Sequence, residues 1–169
     1  YYIYTQHSLM SPNCSYRKGS FDNYDIVFCS GKYMIDEIRA AEKFYSLKKK
    51  ELVCHGYTRL DSLISEYSKF KKNTKLSEQK DILFAPSWNK EGVLNSPLAE
   101  TIIENSINQG FKITLRPHPE SFKYSNDRIN NILKNFSHNK SFKFENNIVD
   151  NHSLFKSDIL ITDWSGISL

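Results

Sequence analysis

Nothing in the 169 residues approaches the roughly 18-residue apolar run that a membrane-crossing helix needs, and no signal-peptide pattern is visible. Cysteine is scarce. Cys14, Cys29 and Cys54 are odd in number and too far apart for a Cys-x-x-Cys metal or redox pair. They read as buried thiols in a reducing compartment, so the cytoplasm is the expected location. No cluster of ligating side chains points to a metal, and neither an internal repeat nor a low-complexity tract stands out. A strong excess of one charge is also missing. The net charge of +4 is spread over Lys48, Lys49, Lys50, Lys69, Lys71 and Lys72. Such runs read as solvated faces, so nucleic acid is not implied, although they suit an anionic membrane surface. What is present is ordinary: 39% apolar and 25% charged residues, a soluble globular composition with room for one domain or parts of two.

The chain opens without Met on the strand-like Tyr1-Tyr2-Ile3-Tyr4 and stops at Ile167-Ser168-Leu169, where a helix should be getting under way. A lone strand and a single helical turn are both marginal. The expectation is an internal piece of a longer protein.

Residues 1–5 and 25–29 read as strands. Ser30 caps an expected helix over 33–45, with Met34, Ile35, Ile38, Ala41 and Tyr45 on one face. A brief strand at 52–54 and helical spacing from Leu60 to Tyr67 follow. Residues 70–79 are rich in Lys, Asn and Ser without periodicity and read as a linker. Domains are therefore expected over 1–69 and 80–169. In the second, strands are expected over 81–86, 111–115, 141–144 and 158–161. Helices are expected over 97–109 and from 125 or 126 to 136, with a helical turn over 153–155. Alternation at this interval means βαβ units and a parallel sheet. The run Ile159-Leu160-Ile161 predicts a strand buried on both faces.

Ligands of open α/β sheets sit outside the carboxyl ends of the strands. Three such ends carry reactive groups: Ser87, Trp88, Asn89 and Lys90; Arg116, His118 and Glu120; and Thr162, Asp163, Trp164, Ser165 and Gly166. Arg116 and His118 make a diphosphate cradle, one with paired guanidinium donors, the other with an imidazole. A helix starting near Ser165 and Gly166 would offer unpaired backbone N–H groups to a phosphate. The bland readings stand beside these: Asp163 or Ser165 as a helix cap, His118 as a turn histidine, His7 as an ordinary loop histidine.

Residues 114–119 together with 157–166 resemble the bacterial CDP-glycerol glycerophosphotransferases, which build teichoic-acid and capsule-like polyol phosphates. That family shows [Lys/Arg]-x-His-Pro followed by Ser/Ala-Asp-x-Leu-Ile-Thr-Asp-Tyr-Ser-Ser. Its Leu-Tyr-Ala-Pro-Thr-Trp-Arg is echoed by Leu83-Phe84-Ala85-Pro86-Ser87-Trp88. Its Gly-Tyr-Pro-Arg-x-Asp is matched by Gly56, Tyr57, Arg59 and Asp61, and its Gln-His-Gly by Gln6-His7. The matches run in order across nearly the whole chain. Ser8 stands where the family has Gly, Asn89 where it has Arg (with Lys90 beside it), and Trp164 and Gly166 where it has Tyr and Ser.

The resemblance implies a GT-B-like α/β fold of two Rossmann-like parallel-sheet domains, both incomplete here. It implies a CDP-linked donor held by Arg116, His118, Asp163, Ser165, Gly166, Ser87 and Lys90 in the second domain. His7 would be the general base on an acceptor hydroxyl, with His118 as its catalytic counterpart. No cofactor or metal is expected. The expected partners are a nucleotide-activated polyol phosphate, a polymer or lipid-linked acceptor and an anionic membrane surface, at the inner face of the cell membrane. Two alternatives remain at this point: a GT-B glycosyltransferase using a nucleotide sugar, and a noncatalytic nucleotide-binding module.

Overall fold

The structure is a computed structural model and describes residues 1–73, 79–147, 150–163 and 166–168. The chain divides into two compact units, Tyr1–Lys69 and Phe70–Ser168. Each is α/β with a parallel sheet.

In the first unit, β1 (Ile3–Thr5), β2 (Ile26–Cys29) and β3 (Glu51–Cys54) lie side by side in chain order, all parallel. A four-residue helix, α1 (Pro12–Ser15), lies between β1 and β2. The long helix α2 (Lys32–Phe44) buries Met34 and Ile38, which pack with Val27 and Cys29 to form the core. It starts after Gly31 without a side-chain cap, because Ser30 Oγ is bonded instead to Tyr33 Oη at 2.7 Å. Lys50 departs from the solvated reading of its lysine run: it is buried, and its backbone N–H donates to the buried Glu42 carboxylate at 2.8 Å. Helix α3 (Thr58–Asn73) runs four residues into the stretch expected as linker, and residues 74–78 lie outside the described residues.

In the second unit, β4 (Asp81–Phe84), β5 (Lys112–Leu115), β6 (Phe142–Phe144) and β7 (Ile159–Ile161) form a parallel sheet in the order β6-β5-β4-β7. Helix α4 (Leu98–Asn108) leads into β5, and the short α5 (Ser121–Tyr124) and α6 (Asn126–Phe136) lead into β6. Helix α7 (His152–Lys156) precedes β7. The core joins Ile82, Phe84, Ile113 and Leu115 of the central strands to Ala99 and Ile103 of α4 and to Ile129 and Ile132 of α6. Arg128 binds α6 to the start of α4, with hydrogen bonds to the Leu94 and Ser96 carbonyls and an ion pair to Glu100.

Two expectations are corrected. The strand β7 is not buried on both faces: Ile159 is 42% exposed, because β7 is the outer strand among those described and pairs only with β4. The cysteines are not all buried either. Only Cys29 is, and Cys14 and Cys54 are exposed, all three as free thiols.

Candidate active site

The strand order sets where the second unit can hold a ligand. After β4 the chain moves outward through β5 and β6, then returns to lay β7 on the other side of β4. Connections leaving in opposite directions open a crevice at the carboxyl ends of β4 and β7, the usual ligand position in open α/β sheets. The two ends are tied together. Ala85 N–H donates to the Ile161 carbonyl at 2.9 Å, and Thr162 Oγ1 to the Ala85 carbonyl at 2.7 Å.

Asp163 braces the loop that follows β4. Its Oδ1 accepts from Ser87 N–H at 2.6 Å and its Oδ2 from Val93 N–H at 3.2 Å. Gly92 makes that approach feasible by lacking a side chain: a Cβ there would lie 2.9 Å from both the Asn89 carbonyl oxygen and Asp163 Oδ2. The carboxylate thus shapes the loop through two backbone donors. Ser87 is buried at the root of this loop and Lys90 exposed upon it. Gly166 opens a three-residue 3-10 turn, Gly166–Ser168. Trp164 and Ser165 lie outside the described residues.

At the end of β5 the backbone N–H of Arg116 donates to the Phe84 carbonyl at 2.8 Å, which orders the neighbouring strand ends. The Arg116 side chain is 7% exposed. Its Nη1 donates to Ser153 Oγ at 3.1 Å and lies 3.6 Å from Glu145 Oε1. A guanidinium so buried needs a counter-charge, and Glu145, just past β6, supplies it. Glu145 and Ser153 escaped the sequence reading, although the position of Glu145 immediately after Phe144 is the signal that strand-end logic could have used.

His118 follows Pro117 and is half-buried. Its Nδ1 accepts from Glu120 N–H at 3.2 Å, which leaves the proton of the neutral ring on Nε2. Burial lowers its pKa from the usual histidine value, with Glu120 acting weakly in the opposite direction. His118 is therefore a neutral Nε2–H donor near neutral pH. The Trp88 ring lies 6.3 Å from it and stacks on Tyr124 at 5.9 Å, so the loops after β4 and β5 meet through aromatic contact. Tyr124 was not singled out from the sequence.

In the first unit the exposed His7 stands just past β1 in a net of hydroxyls. Its Nδ1 lies 3.0 Å from Tyr4 Oη, which is 2.7 Å from Tyr16 Oη. Tyr16 donates to Gln6 Oε1 at 3.0 Å, and His7 N–H donates to the same oxygen at 3.2 Å. The His7 carbonyl accepts from Tyr57 Oη at 2.9 Å. Two segments separated by fifty residues, Gln6-His7 and Gly56-Tyr57, thereby meet. The turn that delivers Tyr57 is pinned by His55 N–H on the Cys29 carbonyl at 2.9 Å. It passes through Gly56 at φ +82°, a left-handed conformation suited to glycine. A cavity of ≈ 490 Å³ opens between the 12–22 segment and α2, and none of the expected site residues lines it.

Among the described residues no group of three or more His, Cys, Asp or Glu side chains is arranged to hold a metal ion, and no helix is long and apolar enough to cross a membrane. None of the curated proteins compared with the chain matches it. The family model for CDP-glycerol:poly(glycerophosphate) glycerophosphotransferases matches residues 5–169. That span takes in His7, Tyr57, Arg116, His118 and Asp163, and at 165 of 169 residues it covers almost the whole sequence. The chain therefore belongs to the CDP-glycerol:poly(glycerophosphate) glycerophosphotransferase family of transferases.

Proposed function

We propose that the chain moves glycerol phosphate from CDP-glycerol to a hydroxyl of a cell-envelope polymer or lipid-linked acceptor, in teichoic-acid or capsule synthesis. The reading includes a GT-B arrangement, no metal, and a place at the inner face of the cell membrane. The observation that carries it is the family match over residues 5–169. The two parallel α/β sheets support the fold part of the reading.

In this reading His7 takes the proton from the acceptor hydroxyl as its oxygen attacks the glycerol-bearing phosphorus. The phosphoanhydride bond breaks and CMP leaves with the bonding pair. An imidazole is suited to accept such a proton at neutral pH. His118 donates through Nε2–H to the phosphate oxygens, and Lys90, Ser165 and Gly166 supply further donors. Arg116 adds its positive charge from beside Glu145. Ser87 and Asp163 act through the loop they shape. Fixed donors of this kind stabilise charge as it develops on the leaving group.

Thermal unfolding with CDP-glycerol and, separately, with UDP-sugars tests the donor. CDP-glycerol is expected to raise the midpoint, and to raise it further with each multiple by which its concentration exceeds Kd. Turnover with poly(glycerol phosphate) should fall by roughly 10²–10⁴-fold in His7→Ala, with CDP-glycerol protection retained. Protection by a UDP-sugar alone would instead identify a glycosyltransferase. Binding of CDP-glycerol without turnover, and without any effect of His7→Ala, would identify a noncatalytic module.

A further inference from the structure

The hydroxyl net around His7 determines where the imidazole proton sits. Three short contacts link four groups in a row: Gln6 Oε1 to Tyr16 Oη at 3.0 Å, Tyr16 Oη to Tyr4 Oη at 2.7 Å, and Tyr4 Oη to His7 Nδ1 at 3.0 Å, with Tyr16 Oη also 3.5 Å from His7 Nδ1 as a second, longer acceptor. Three hydrogen bonds require three protons. Each phenol has one, and a carboxamide oxygen has none. The Gln6 amide is oriented independently, because the same Oε1 accepts from the His7 backbone N–H at 3.2 Å. Tyr16 must therefore donate to Gln6, and Tyr4 to Tyr16. The only group left to donate across the third contact is His7 Nδ1.

We propose that Tyr4, Tyr16 and Gln6 are positioning residues that hold His7 as the Nδ1–H tautomer, with the Nε2 lone pair presented to the acceptor hydroxyl. The proposal rests on the reading of His7 as general base, and it gives that base a defined reactive atom. The orientation carries a local cost. Gln6 Nε2 is buried with no partner among the described residues, so the amide is held for its oxygen. The net is also rigid. Tyr4 packs edge-on against Phe21 and Tyr24 at ring separations of 5.1 and 5.2 Å, and Tyr57 fixes the His7 carbonyl from the other side. Burial, aided by the bond to Tyr16, raises the Tyr4 pKa, so that phenol keeps the proton it gives.

The test is long-range proton–nitrogen NMR on the full chain labelled with ¹⁵N-histidine. It is read at about pH 8, where imidazole is neutral, with the His7 signals assigned by their loss in His7→Ala. The wild-type protein should give the nitrogen shifts of an Nδ1–H ring. In Tyr16→Phe the Tyr4 proton is released to point at His7 Nδ1, so the ring should switch towards Nε2–H. With CDP-glycerol and poly(glycerol phosphate) as substrates, kcat should then fall at least about tenfold with KM unchanged. A wild-type Nε2–H ring overturns the proposal without needing any variant to fold. A Tyr16→Phe protein that keeps Nδ1–H overturns it whatever happens to turnover. A tautomer switch with unchanged kcat supports the hydrogen-bond assignment and removes His7 from the role of base, which separates the two claims.

Discussion

At the scale of single residues, the second unit uses its polar groups for bracing. Asp163 and Arg116 are engaged with other parts of the protein, and His118 accepts the Glu120 N–H at one nitrogen of its ring. Burial of that ring has a measurable consequence. Its folded-state pKa lies below the unfolded value of about 6.5, so on acidification the unfolded chain takes up a proton before the folded one does. The stability this group contributes is present above about pH 6.5 and lost as pH falls through that value towards the lower folded one. Protonation of Nδ1 also ends its hydrogen bond from Glu120. Thermal midpoints of His118→Gln should therefore decline less than wild type on going from about pH 7.5 to about pH 5.5. Equal declines would show that burial of His118 does not act on stability. Sequence chemistry made His7, Arg116 and His118 visible. It could not show that Arg116 faces Glu145 or that Tyr4 and Tyr16 serve His7, because such pairings depend on side-chain directions between distant segments.

At the scale of elements, the sequence yielded all the strands and all the longer helices among the described residues, with ends that coincide or are displaced by up to six residues. Their apolar spacing matches the period of the element, which is the strongest local signal a chain carries. The four-residue helices α1 and α5 escaped because one turn has no period to detect and owes its shape to its surroundings. The helical spacing read from Leu60 to Tyr67 stops short of the end of α3 because the residues after Tyr67 carry no apolar period to extend it. The turn before α3 is the element with the sharpest demand on residue type. Gly56 has φ +82° and open space where a Cβ would be, so Gly56→Ala should cost about 1–2 kcal/mol through the backbone alone. Denaturant midpoints would measure that cost. Because Tyr57 holds the His7 carbonyl, turnover should fall further than the loss of folded protein explains. Turnover that follows the folded fraction alone would argue against the link.

At the scale of the whole chain, alternation of strands and helices was enough to indicate two parallel α/β units, and the family resemblance agrees with the match over residues 5–169. Strand order was not legible. Nothing local in Ile159-Leu160-Ile161 says that it pairs with β4 and not with the preceding strand, and its outer position explains why its burial was misjudged. The link from Asp163 to the β4 loop is the long-range interaction most open to test. Asp163→Ala strands the N–H groups of Ser87 and Val93, and should destabilise the second unit by roughly 1–3 kcal/mol. Hydrogen exchange at those two amides should quicken while amides within β5 keep their protection. Unchanged exchange at Ser87 and Val93 would remove Asp163 from the bracing role.

The separation of 76 residues between Asp163 and the Ser87 amide bears on how the protein is made. Synthesis proceeds from the N-terminus, so β4, β5 and β6 leave the ribosome before the carboxylate that secures their neighbouring loop exists. During that interval the nascent sheet exposes the edge of β4 that β7 later covers. A nascent chain halted before residue 158 is therefore expected to bind chaperones that grip bare strand edges, and release should coincide with translation of β7.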